Sequence, residues 1–204
     1  MGRVPRRVTV DLAVLRESRE LRLIVIGEAI SALGTQAALV AIPFQIYVLT
    51  HSAALVGLLG AVELGPLVGA SLLGGAAADR VDRRRVLLGA QVVVAMVAGL
   101  LALVTALGHP SVVVIFLLAG ALAGASAVDN VTRAAVVPAL AGPARLRAAL
   151  SITFGLNQVC AVVGPGLGGL LIAASGVGTV YVVEAVGFVV TLGITALLRP
   201  MPAA

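Results

Sequence analysis

The stretch Gly74-Gly75-Ala76-Ala77-Ala78-Asp79-Arg80-Val81-Asp82-Arg83-Arg84-Arg85 decides how the rest of this chain is read. Six charges fall within its last seven residues, Asp79 to Arg85. Upstream, from Ala29 to Ala78, the only charge is Glu63, and downstream, from Val86 to Val128, there is none. A short dense charge cluster between two such runs reads as a tight loop at a membrane surface.

Composition agrees. The chain is 60% hydrophobic and 11% charged, with a mean hydropathy of +1.14. Soluble domains are about 45–50% apolar and about 25% charged, so this sequence has too few polar groups to cover a surface in water. Uncharged runs beyond about 20 residues match the length a helix needs to cross a bilayer core. Lipid offers the backbone no partners, which leaves helices or a closed barrel. Barrel strands would alternate apolar and polar; these runs are apolar on every side, so the expectation is an all-α integral membrane protein. The net charge of +5 does not indicate nucleic acid, because the basic residues sit in clusters between hydrophobic runs. Cys160 is the single cysteine; it excludes an internal disulfide, has no zinc spacing and reads as a packing residue. His51 and His109 both fall between helices. No metal-ligand cluster and no Ser-His or Cys-His pairing falls within the spans, so neither an enzyme nor a cofactor is expected.

Residues 1–22 carry six Arg interleaved with Leu12, Leu15 and Leu21, a pattern suited to an amphipathic segment on the membrane surface. The first long run starts too late and runs too far for a cleavable leader. Six spans follow in a transmembrane domain of residues 23–198: about 23–49, 54–78, 86–107, 112–136, 148–174 and 179–198. A polar connection, Pro138 to Arg147, separates the fourth and fifth, and residues 199–204 form a tail. All 14 basic residues are Arg, and this layout places every one on the same side. Positive residues stay cytoplasmic, so both termini are expected inside. Tyr47 and Tyr181 then fall near the outer ends of the first and last spans, where amphipathic rings favour the interface. Glu184 is expected near that interface too.

Gly65 and Gly69, Gly120 and Gly124, and Gly164 and Gly168 are each four apart, a spacing that lets membrane helices approach closely. Gly65-Pro66 in span two and Gly164-Pro165 in span five occupy the middle helices of two successive three-helix units. Such matched interruptions are the trace of an inverted repeat in transporters.

The run Gly75-x-Ala77-Ala78-Asp79-Arg80-x-Asp82-Arg83-Arg84-Arg85 resembles the loop motif between helices two and three of the major facilitator superfamily, usually written G-x-L-A-D-R-x-G-R-R. Ala77 and Asp82 depart from it, and the Asp82 variant looks like the drug and siderophore exporter branch, the enterobactin-exporter-like proteins. Pro43-Phe44-Gln45-Ile46-Tyr47, Asp129-Asn130-Val131-Thr132-Arg133 and Pro138 extend the resemblance. Gly164-Pro165-x-x-Gly168-Gly169 is similar to the core of the superfamily's antiporter motif, with Ser151 and Cys160 standing at its upstream Gly positions. The resemblance implies a gating motif of Gly75, Asp79, Arg80 and Arg83, with Arg133 in the same cytoplasmic charge network. Physically, Asp79 could bond Arg83 across the turn and face the positive end of a helix. Asp129 and Arg133 are spaced for a helical pair, acid first. Arg84 and Arg85 are left mainly to fixing topology.

Glu28 and Glu63 lie within spans, where a charge costs roughly 2.5–3.5 kcal/mol and commonly marks a substrate or proton path. Glu63, nearer mid-span, is the stronger candidate for proton coupling; Glu28 lies close enough to the cytoplasmic end to snorkel. Gln36, Gln45, Asn157 and Gln158 add polar groups to helices that line the central cavity in the resembled family. The expectation is the N-terminal half of an exporter of a small amphipathic compound, driven by proton entry. Its partners are the lipid bilayer, substrate, protons and a second six-helix half in cis or trans. The alternative is a non-transporting membrane interaction subunit or a truncated, inactive half-transporter.

Overall fold

Ser18 opens the first helix: its Oγ accepts the Leu21 N–H at 3.2 Å, satisfying one of the donors a helix start leaves orphaned. In the computed structural model, which describes residues 18–80, 82–108 and 110–198 (73–80 by backbone alone), five helices follow. They are α1 (Arg19–Thr50), α2 (Ala53–Arg80), α3 (Arg83–Ala106), α4 (Val112–Ser175) and α5 (Val177–Ala196). No strand occurs among the described residues. All five are long and apolar enough to cross a membrane.

The breaks have local causes. His51 takes a left-handed φ of 52° and its N–H donates to the Tyr47 carbonyl, ending α1. Asp82, which stands where the resembled loop motif has Gly, caps α3: its Oδ1 accepts the Arg84 N–H at 2.9 Å. Gly176, at φ 85° and ψ 169°, separates α4 from α5.

α4 differs from the polar connection expected over 138–147. The chain stays helical on both sides of one residue, Gly142, whose φ of 67° and ψ of 169° break a 64-residue element into two arms, 112–141 and 143–175. A residue with a side chain resists that positive φ, and Pro143 suits the first position of the second arm. Arg19 and Arg22, expected on a surface segment, belong to α1.

The helices pair through small residues. Gly120 and Gly124 of the first arm face Pro66 of α2; a Cβ on Gly124 would lie 3.3 Å from the Pro66 ring. Gly164 and Gly168 of the second arm face α1, where a Cβ on Gly168 would lie 2.9 Å from the Ala37 carbonyl oxygen. Gly34 of α1 meets the backbone of Glu184 on α5, and α3 packs on α5 and on the first arm. Gly65 and Gly69, by contrast, face open space within this chain. Two apolar clusters fill the bundle. One is built around Ile42, Val94, Leu101, Ile115 and Phe188. The other lies at the Arg-rich end, around Leu21, Ile24, Leu87 and Val136. α2 and the second arm keep large apolar side chains outward, among them Leu64, Leu72, Phe154, Val162 and Leu170.

Candidate functional site

Between the two apolar clusters lies a polar pocket. The first arm presents Asp129 and Arg133 on one face, one helical turn apart. Arg133 Nε donates to Asp129 Oδ2 at 2.6 Å, with both side chains buried. Asp129 Oδ1 accepts from Gln91 Nε2 of α3 at 3.1 Å. Across from them, Glu28 of α1 is buried, and its Oε1 accepts from Asn157 Nδ2 of the second arm at 2.6 Å. Arg133 stands close enough to Glu28 to act on it electrostatically, yet its Nη1 and Nη2, like Glu28 Oε2, have no hydrogen-bond partner among the described residues. Gly27 lies beside Arg133 Nη1, and the close neighbour of a Cβ there would be Thr191 of α5, at 3.3 Å.

Two spaces border these groups, and a third shares Thr35 and Asn130 with the first. A polar cavity of about 240 Å³ is lined by Glu28, Thr35, Gln36, Asp129, Arg133 and Asn157. A second space of about 510 Å³ shares Glu28, Asn130, Arg133 and Asn157 and adds Gln158 and Phe154. A third, of about 180 Å³, joins Glu63 of α2 to Thr35 and Asn130. Glu28 and Asn157 thus border both of the first two spaces, Gln36 the first and Gln158 the second, and Glu63 borders the third. Gln36 also backs onto Gly164. Gly164 and Gly168 serve helix contact, while Gly169 faces open space.

The side chains of Gly75, Asp79 and Arg80 lie outside the described residues. Of that loop, Arg83 donates to the Ala135 carbonyl at 3.3 Å. Arg84 does more than the topological part expected of it: it donates to the Thr195 and Ala196 carbonyls at 3.4 and 2.7 Å. Those carbonyls end α5, where a cation complements the helix dipole. Gln91 and Arg84 were both missed at the sequence level. Their partners lie 38 and more than 110 residues away, and no local pattern marks them.

Two residues expected near the outer interface turn into the bundle. Tyr181 is fully buried, its hydroxyl donating to Gln45 Oε1 at 2.7 Å, while Gln45 Nε2 donates to Thr105 Oγ1 of α3. The ring has a polar partner inside the bundle and no need of an interface. Glu184 is likewise enclosed, because Gly34 lets α1 close over it. Tyr47 is half exposed. Cys160 is buried, with Sγ 3.9 Å from the Ala29 carbonyl.

With this geometry in hand, comparison with known proteins is informative. The family model described as "transmembrane secretion effector" matches residues 9–203. The enterobactin exporter EntS of Shigella boydii serotype 4 (strain Sb227) is 34% identical over 183 residues, covering 89% of this chain and 44% of that protein. The enterobactin exporter EntS of Escherichia coli O127:H6 (strain E2348/69 / EPEC) matches with the same identity and coverage. The chain therefore spans less than half the length of the curated relatives it matches. Among solved structures, a bacterial homologue of the iron transporter ferroportin, in an outward-facing state with soaked iron, superposes with a TM-score of 0.68 at 19% identity. That match covers 86% of this chain and 48% of the other, and it speaks to the fold alone.

Proposed function

Because this chain belongs to the transmembrane secretion effector family of the major facilitator superfamily, we propose that it forms the N-terminal six-helix half of a proton-driven efflux transporter. Its cargo is a small amphipathic compound, as the name of its enterobactin-exporter relatives suggests. The observation that carries this reading is the convergence of Glu28, Asp129, Arg133 and Asn157 on one cavity inside an otherwise apolar bundle. Ionisable groups held in a membrane interior at that cost usually line a substrate or proton path.

In this reading α4 supplies two crossings. A straight 64-residue helix would run about 96 Å, three times the hydrocarbon thickness of about 30 Å. The break at Gly142 divides it into arms of about 45–50 Å each. Six crossings put every Arg on one side, and the positive-inside rule makes that side the cytoplasm of the plasma membrane. The pairing also supports an inverted repeat. α2 packs on the first arm as the second arm packs on α1, and both Gly-Pro pairs lie at these contacts, through Pro66 in one and Gly164 in the other. The outward apolar faces of α2 and the second arm are the surface for the second six-helix half.

Glu28 and Glu63 carry the protons, each bordering a cavity and each away from a direct salt bridge. Asp79, Arg80 and Arg83 form the cytoplasmic latch with Gly75, and the Asp129–Arg133 pair anchors it from the first arm. The test is expression of this chain with and without a C-terminal six-helix half, followed by efflux from everted vesicles under an imposed pH gradient. Efflux of at least one compound from a panel is expected only with both halves present. Glu28→Gln and Glu63→Gln are each expected to uncouple efflux from the gradient. Full coupling in Glu63→Gln would remove that residue from the proton path, and absence of efflux from the paired halves would sink the reading.

A further inference from the structure

Arg133 is 4% exposed, and among the described residues Asp129 is its acceptor, through Nε, one of five N–H donors. Nη1 and Nη2 are buried and unpartnered. Leaving charged donors buried without acceptors is unfavourable, more so than for neutral ones. Glu28, close enough to act on Arg133 electrostatically, does not bond them: its Oε1 accepts from Asn157. Arg133 lines both the 240 Å³ polar cavity and the 510 Å³ space beside it, with its Nη atoms buried at their edge. The second space carries apolar walls, Val137, Leu150 and Phe154. Its size lies within the roughly 300–1,000 Å³ of small-molecule sites.

We propose that Arg133 is the docking point for a carboxylate-type group, a planar anion with two oxygens, carried on an apolar body. The geometry selects the chemistry. A guanidinium fork with two free donors matches two coplanar oxygens, and a single neutral acceptor leaves one donor unmet. Asp129 fixes the fork from behind through Nε, and Gln91 fixes Asp129. The charged groups that face the anion are Arg133 itself, Asp129 and Glu28. The apolar body lies along Phe154 and Leu150. The proposal rests on the reading of this cavity as the transport site, and it narrows the cargo from amphipathic compounds in general to acidic ones.

The test is binding, measured apart from transport. The purified full chain in a neutral maltoside detergent is titrated with 4-fluorobenzoate and with its uncharged counterpart 4-fluorobenzamide, both followed by ¹⁹F line broadening. The benzoate is expected to bind and the benzamide to bind at least tenfold more weakly. Arg133→Gln is expected to lower benzoate affinity about tenfold or more, the usual size of a lost charge-assisted bond. Should that variant fail to fold, Arg133→Lys decides: it keeps the charge and the Asp129 partner but lacks the fork, and the same direction of loss is expected. Binding of the amide as tight as the benzoate, undiminished benzoate binding in either variant, or no benzoate binding at all would overturn the proposal. Efflux of uncharged compounds by the paired halves would leave the transport reading standing while the anion assignment fell.

Discussion

Asp129 holds two side chains at once, Arg133 on its own helix and Gln91 on α3. Removing it strands a buried guanidinium whose other donors are already without acceptors. Breaking a buried pair from one side costs about 3–5 kcal/mol, far more than the pair contributes net. Asp129→Ala is therefore expected to lower the unfolding temperature in detergent sharply. Asp129→Asn, which keeps an acceptor for Nε, should lose clearly less. Equal losses in the two variants would mean that Asp129 serves through packing alone. At this scale the sequence was partly legible. The spacing of Asp129 and Arg133 announces their pair, and the two acids within spans, Glu28 and Glu63, each border a cavity. Depth along a helix, read from sequence for Glu184 and Tyr181, does not say which face they turn inward; for Glu184 that depends on Gly34 letting α1 close over it.

The same lesson holds for whole helices. Three Gly pairs at the same spacing look alike in sequence, yet two of them bring helices together and the third, Gly65 and Gly69, meets nothing within this chain. Spacing sets the possibility of close approach and the register of the neighbouring helix decides it. A sign test follows. Gly→Ala in an open helix position gains up to about 1 kcal/mol from propensity, so Gly65→Ala is expected to leave thermal stability unchanged or slightly raised. At Gly168 the new methyl would meet backbone atoms of Ala37 at 2.9 and 3.0 Å, which cannot rotate aside. Overpacking of that kind costs about 1–3 kcal/mol, so Gly168→Ala is expected to be destabilising in the same detergent melt. A stabilised Gly168→Ala variant would show that α1 and the second arm are not pressed together there. Arg84 belongs to this scale as well, since its bonds to the last carbonyls of α5 tie the start of α3 to another helix end.

For the molecule as a whole, the question is how many times the chain crosses the membrane, and α4 decides it. Hydropathy and Arg placement suggest six crossings with both termini inside; five continuous helical elements by themselves leave the number open. If α4 crosses once, Ser111 at its start and Ser175 at its end face opposite sides. If Gly142 turns it back, they face the same side and the turn faces the other. Cys160 is buried, so labelling of the unaltered chain by a membrane-impermeant maleimide should be low. Single cysteines at the exposed positions His51, Ser111, Ser175 and Ala144 then report each side. His51→Cys, Ser111→Cys and Ser175→Cys are expected to label in intact cells, and Ala144→Cys only after permeabilisation. Labelling of Ser111→Cys and Ser175→Cys from opposite sides would refute the two-crossing reading of α4. Labelling of Ala144→Cys alone in intact cells would keep six crossings but invert them, placing the Arg clusters outside against the force that should hold them in.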